Sequence, residues 1–312
     1  MPVERPSSRV RVVSLLPSAT EILHVLGIEP VGISHSCEYP PSVTDRPVVT
    51  STVIDHEGRT SGEIDEQMQS VDGAVYDVDG AQLAALDPDL VVTQATCEVC
   101  AVDTSAVTAA MDAHDVAAEL LTLDPRSFTD VLDDVRRLGV VTGRESEAEA
   151  FLTRARDRIE TVRSRVSGCG RPRTAVLDWT EPLLRGGHWI PDLIRLAGGD
   201  AAFQPDRASE PITWAELRAY DPERLVVAPC GFPVSRATAA LADLPTYAGW
   251  DDLHAVQSGH VFAADGNALF NRPGPRLVDS LEVLGRCIHA DAFADPGTEW
   301  VRSLDAIAEL GR

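Results

Sequence analysis

The sequence contains no lysine: all 27 of its basic residues are arginines, set against 49 aspartates and glutamates, for a formal charge of -22 over 312 residues. A polyanion repels phosphate backbones and anionic membrane surfaces at long range, so nucleic acid is excluded as a partner. A solvated acidic surface is expected instead, of the kind common in salt-loving organisms, where salt screens the repulsion between carboxylates.

Long apolar runs are missing too. Nothing approaches the roughly 18 consecutive apolar residues that span a membrane, which argues against membrane insertion. The first apolar run, 10–16, is interrupted by Arg11 and closed by Pro17. It lacks the unbroken apolar stretch of a secretory signal, so a cytoplasmic location is expected. Six cysteines in a chain of this length make no disulfide framework, and a reducing compartment leaves them as thiols or metal ligands. No Gly-x-Ser-x-Gly elbow, phosphate loop, His-Glu-x-x-His or dinucleotide fingerprint occurs, which favours a binding protein over an enzyme.

What is present is an alternation. With 44% hydrophobic residues, the chain is long enough for two ordinary domains, each with its own core. β-rich runs at 10–16, 31–34, 90–94 and 116–121 alternate with helical patterns, then the pattern turns helical from 124 to 168. Phe151, Leu152, Ala155, Ile159, Val162 and Val166 recur at three- and four-residue steps, which predicts an amphipathic helix over 144–167. At 1.5 Å per residue it is about 36 Å long. Strand runs restart at 174–178, 225–228 and 261–264. The expected organisation is an N-terminal α/β lobe over 9–125, a helical linker over 126–168, a C-terminal α/β lobe over 169–290 and a helical extension over 291–312. The stretch around Asp87-Pro88-Asp89 is echoed around Asp221-Pro222-Glu223, a hint of equivalent helix-turn-strand units in the two lobes.

Open α/β sheets bind ligands beyond the carboxyl ends of their strands, and a small ligand is expected in the cleft between the lobes. After the first strand, Ser18 and Glu21 have the spacing of a capping box, with a backbone N–H site facing a ligand as the other reading. Cys37, Cys97, Cys100 and Cys230 follow other strands. The Cys97-x-x-Cys100 spacing lets a turn bring two thiolates onto one metal, so with Cys37 and Cys230 the set makes a candidate site for zinc or an iron–sulfur cluster. Packing as small buried hydrophobes is the alternative for each, while Cys169, in a linker, and Cys287, on an apolar helix face, are read as structural. In the second lobe, Trp179, Trp189, Phe232 and Phe270 stand near glycines, a combination that suits a flat ligand.

Three stretches carry a resemblance: Ser14-Leu15-Leu16-Pro17-Ser18-Ala19-Thr20-Glu21, Gly186-Gly187-His188-Trp189 and Asn271-Arg272-Pro273-Gly274-Pro275-Arg276. The chain resembles, over about residues 10 to 290, the cobalamin-binding branch of the class III periplasmic binding proteins, also called helical backbone metal receptors. The resemblance implies an α/β fold of two Rossmann-like lobes bridged by a single long helix that resists hinge closure. It also implies cobalamin or another corrinoid as ligand, an ABC permease as partner and a periplasmic or cell-surface location. By position it implies that Pro17, Ser18, Tyr39, Trp179, Gly187, His188, Trp189, Phe232 and Arg272 line the ligand site. The glutamates with which such proteins dock on a permease align to Ala81 and Ala215, with Glu216 one position away.

Overall fold

The computed structural model describes residues 10–96, 102–293, 299–304 and 306. Two compact units divide the chain. The first comprises Met1–Asp55, Val71–Asp124 and Asp133–Ala150, and the second His56–Ser70, Pro125–Leu132 and Phe151–Arg312.

In chain order the elements are β1 (Val12–Ser14), α1 (Pro17–Val25), β2 (Gly32–Ile33), β3 (Thr50–Thr52), α2 (Ser61–Ser70), β4 (Tyr76–Val78), α3 (Gly80–Ala85), β5 (Leu90–Gln94), α4 (Thr104–Ala113) and β6 (Glu119–Leu123). The first unit is built on a parallel sheet ordered β2-β1-β5-β6. Every residue of β1 and β5 is buried, as expected of valine-rich strands covered on both faces. Val13, Leu83, Val91, Val107 and Met111 share one core with them. Strands β3 and β4 form a separate antiparallel ladder, and α2, which lies between them in sequence, belongs to the second unit.

The expected capping box at Ser18 does not form. Leu16, in extended conformation, is the cap residue, Pro17 opens α1, and Ser18 and Glu21 are both buried inside the helix. Proline at the first helical position, with φ already set and no N–H to satisfy, moves the cap two residues forward of Ser18, to Leu16.

The chain continues through α5 (Phe128–Thr142), α6 (Glu145–Val166), β7 (Thr174–Thr180), β8 (Leu183–Arg185), α7 (Ile190–Leu196), β9 (Glu210–Pro211), α8 (Trp214–Tyr220), β10 (Arg224–Val227), α9 (Val234–Asp243), α10 (His254–Gln257), β11 (Val261–Ala264), α11 (Leu277–Ile288) and β12 (Val301–Ser303). The division between the units falls inside α5 and inside α6. Helix α6 has 22 residues, and its acidic first turn and arginine-bearing last turn suit the helix dipole. Leu152, Ala155 and Val162 are its buried stripe. On the flank Arg158 reaches Glu282 at 2.8 Å and Asp279 at 2.5 Å on α11, and these bonds hold the guanidinium more firmly protonated than usual.

The second sheet runs β12-β11-β10-β7-β8-β9, with β11, β10 and β7 parallel and the outer strands antiparallel. Within 291–312, where a helical extension is expected, Val301–Ser303 are instead a strand on β11. Burying Val301 and satisfying the backbone of an otherwise open sheet edge outweighs the weak helical pattern there.

The echo between residues 87–89 and 221–223 is structural. Asp87 and Asp221 both adopt left-handed backbone conformations, φ 42 and 50, just past α3 and α8. Aspartate tolerates that region better than most residues, and the following proline prevents the helix from continuing. In the first unit the Arg11 N–H donates to Asp89 Oδ2 at 2.9 Å, and the Arg11 side chain donates to Asp87 O at 3.0 Å. In the second unit the Arg173 N–H donates to Glu223 Oε2 at 2.9 Å, and its side chain donates to Asp221 O at 2.9 Å. Each unit thus repeats one arginine-clamped helix-to-strand turn.

Candidate functional site

Strands β7, β10 and β11 are parallel neighbours, so their carboxyl ends bring three loops of the second unit together. The main chain ties these loops. Cys230 N–H donates to Asp178 O at 3.0 Å, and Val234 N–H donates to Asp265 Oδ2 at 3.1 Å. Asp265 Oδ1 also accepts from the Asn267 and Ala268 amides at 3.0 and 2.6 Å. Gly266 lies so close beneath Pro229 that a Cβ there would fall 2.1 Å from Pro229 O.

Asp178 ends the apolar part of β7. Its Oδ2 accepts a hydrogen bond from Ser209 Oγ, which in turn accepts from the Gly187 N–H at 3.1 Å. Its Oδ1 is buried and has no hydrogen-bond partner among the described residues. Burial pushes the carboxyl up to about 6, with the Ser209 bond pulling the other way. Beside it, Trp179 meets Phe232 edge to face at 5.4 Å between centroids. Phe232 is buried while Trp179 is partly exposed, so the first holds the second in place. The guanidinium of Arg236, from the first turn of α9, lies 3.8 Å over the Phe232 ring.

The stretch Arg185-Gly186-Gly187-His188-Trp189 leads into α7. Gly187 is required by close packing: a Cβ there would sit 2.0 Å from Arg207 O and 2.6 Å from Ser209 N. His188 has a positive φ of 53, and its amide donates to Arg207 O at 2.6 Å. Its ring stacks at 5.4 Å on Trp189. Trp189 is 6% exposed, lies in the core of the second unit and donates its indole N–H to Phe270 O at 2.7 Å. Arg272 is also buried, with Nη2 donating to Asn267 Oδ1 at 2.7 Å. Of the second-unit residues implied by resemblance, Trp179 and Phe232 meet directly, and Gly187 joins them through Ser209 and Asp178. Trp189 and Phe270 belong to the core.

In the first unit, Pro17 and Ser18 open α1, and Tyr39 is 38% exposed with its ring edge-on to His24 at 6.0 Å. Cys37 is buried with Ile33 and Val43, and its Sγ lies 3.1 Å from Thr20 Oγ1. Cys230 is partly exposed in the second unit, and Cys97 and Cys100 lie outside the described residues. Among the described residues no group of three or more His, Cys, Asp or Glu side chains is placed to hold a metal ion. The environment of Cys37 is that of a packed thiol. Cys287 is likewise buried in the second core, which pushes its thiol up to about 12.

Asp178, Ser209 and Arg236 were not among the residues expected from sequence. A carboxylate closing a run as apolar as Thr174-Ala175-Val176-Leu177 was the available signal for the first, because a buried strand seldom ends in an unpaired acid. Ser209 and Arg236 gave none: Ser209 acts through Gly187 and Asp178, 22 and 31 positions away, and Arg236 is anchored in part on Arg59, 177 positions away.

A two-unit α/β architecture with α5 and α6 joining the units in sequence defines the class III substrate-binding proteins. The family model described as "Periplasmic binding protein" matches residues 12–268, and the chain belongs to this family, the substrate-binding proteins of ABC transporters, which are not enzymes. It is 23% identical over 300 residues to an uncharacterized ABC transporter substrate-binding lipoprotein of Bacillus subtilis, YvrC, covering 91% of this chain and 82% of the relative. A periplasmic heme-binding protein from Pseudomonas aeruginosa superposes with a TM-score of 0.68 at 21% identity, over 94% of this chain and 97% of that one. The periplasmic vitamin B12 binding protein BtuF of Vibrio cholerae superposes with a TM-score of 0.64 at 17% identity, over 90% and 96%. These likenesses establish the fold. That the Bacillus relative is a lipoprotein does not support the cytoplasmic location expected from the N-terminal residues.

Proposed function

We propose that this chain captures a corrinoid of the cobalamin type outside the cytoplasm and delivers it to an ABC permease. The observation that carries the reading is the partly exposed Trp179 ring braced by Phe232 beside the buried carboxyl of Asp178. A flat macrocycle rests on an aromatic face. Heme's two propionates are repelled by Asp178 and by a chain of formal charge -22. Glu216, the acid nearest an expected permease-docking position, caps α8 in a reciprocal pair with Thr213, and this fixes its carboxylate at the surface.

Titration of the protein with cyanocobalamin and, separately, with hemin tests the reading through quenching of tryptophan fluorescence. Cyanocobalamin is expected to saturate the signal at about micromolar concentration or below, with hemin at least tenfold weaker, a gap of about 1.4 kcal/mol. Tighter binding of hemin contradicts it.

A further inference from the structure

Arg236 stands out on this face for its company. The chain carries 49 acidic residues, and its exposed arginines pair with them repeatedly, as Arg136 does with Asp133 and Glu149. Arg236 has no carboxylate partner among the described residues. Its contacts are the Phe232 ring and, through Nη2, the carbonyl oxygen of Arg59 at 2.6 Å. Arg59 precedes α2, and this segment is held on the second unit by a second contact, Ser61 Oγ with Thr180 Oγ1 at 2.7 Å. One N–H of the guanidinium is therefore used and its position over the Phe232 ring is set, with further donors remaining.

Partial burial lowers the guanidinium's pKa, which marks a cation that has given up hydration without gaining a counter-ion. In a chain of net charge -22 a counter-ion from within is easily supplied, so a pre-oriented arginine left without one is suited to an anion that arrives with the ligand.

We infer that Arg236, held over the Phe232 ring, recognises a single anionic phosphodiester group carried by the flat ligand that rests on Trp179. The inference rests on the corrinoid reading and deepens it. The face then has an aromatic ring for the macrocycle and one planar cation for one anion. Arginine matches a phosphodiester because two parallel N–H groups meet two oxygens, which a lysine ammonium cannot reproduce.

The test compares two ligands that share ring and amide rim. Cyanocobalamin carries the phosphodiester; dicyanocobinamide does not. Wild-type protein is expected to prefer cyanocobalamin by about ten- to a hundredfold, the scale of a charge-assisted hydrogen bond. Arg236→Met, which keeps apolar cover on Phe232, is expected to bring the two ligands within about twofold of each other by weakening cyanocobalamin alone. Arg236→Lys is expected to recover only part of the preference. Melting temperature checks that each variant is folded.

Equal weakening of both ligands by Arg236→Met overturns the inference, because it shows packing rather than anion recognition. An absence of preference in the wild type overturns it as well. Hemin separates failure of the inference from failure of the reading beneath it. If neither corrinoid binds but hemin does, the corrinoid reading falls. Arg236 as an anion-recognising residue is then supported by a loss of about tenfold in hemin affinity on Arg236→Met and refuted by no change. A protein that binds none of the three overturns both.

Discussion

Gly187→Ala is expected to destabilise the protein by about 3 kcal/mol or more, among the largest effects of adding one methyl group anywhere in the second unit. The added Cβ would lie 2.0 Å from Arg207 O and 2.5 Å from Ala208 C, both backbone atoms, so no side-chain rotation relieves the clash. The 207–209 loop must move, and with it Ser209, which bonds both Gly187 N–H and Asp178. Loss of ligand binding is expected to accompany the loss of stability even in the fraction that stays folded. Gly231→Ala is the control. Gly231 has φ 73 but nothing within 4 Å of a Cβ, so the change is expected to cost about 1 kcal/mol, from backbone strain alone. Chemical denaturation of the two variants beside wild type measures the difference. Comparable stabilities would show that the loop yields to the methyl group.

Asp178→Asn is expected to stabilise the protein at pH 8 and to do so much less at pH 4.5. The Asp178 carboxyl is raised to about 6 in the folded protein from an ordinary value of 3.8, so the folded state holds a proton that the unfolded state gives up between those values. A raised acid contributes stability that is fully present below about pH 4 and is lost as pH rises through about 6. At 1.36 kcal/mol per pH unit the ionised group costs on the order of 3 kcal/mol at pH 8, reduced by whatever water relieves Oδ1. Asparagine keeps the shape and an acceptor for Ser209 and carries no charge. A melting temperature several degrees above wild type at pH 8 follows, at about 2–4 °C per kcal/mol for a domain of this size, with the curves converging near pH 4.5. A gap that is constant with pH would mean that Asp178 does not titrate in this window.

The parts of the fold legible in the sequence are those whose signal is local. Strands β5 and β11 match their expected spans of 90–94 and 261–264, and α6 differs from its expected span by one residue at each end. The reason is burial: short, mainly apolar runs and a long apolar stripe have few alternatives. The paired turns at Asp87 and Asp221 were legible because a left-handed residue before proline is written in residue types.

What was not legible depends on distant partners. Strands β8, β9 and β12 are two or three residues long and exist because an adjacent strand offers an edge. Helix α2 carries no mark of belonging to the second unit; its tie to Thr180 spans 119 residues. The proposed ligand face was half legible. Trp179 and Phe232 stood out as aromatics after strands, whereas Asp178 and Ser209 meet across 31 positions and Arg236 reaches Arg59 across 177. Trp189, whose place beside two glycines suggests a ligand wall, donates its indole N–H within the core of the second unit.

Equilibrium dialysis of the purified protein against cyanocobalamin, repeated with the Trp179→Ala/Phe232→Ala double variant, tests the central claim most directly. One corrinoid per chain is expected for the wild type, with affinity falling about a hundredfold when both rings are removed, the loss expected for one aromatic contact together with the ring that braces it, at about 1–2 kcal/mol each. Wild-type protein that takes up no corrinoid, or a folded double variant that binds it as tightly as the wild type, would contradict the assignment of this face as the ligand site.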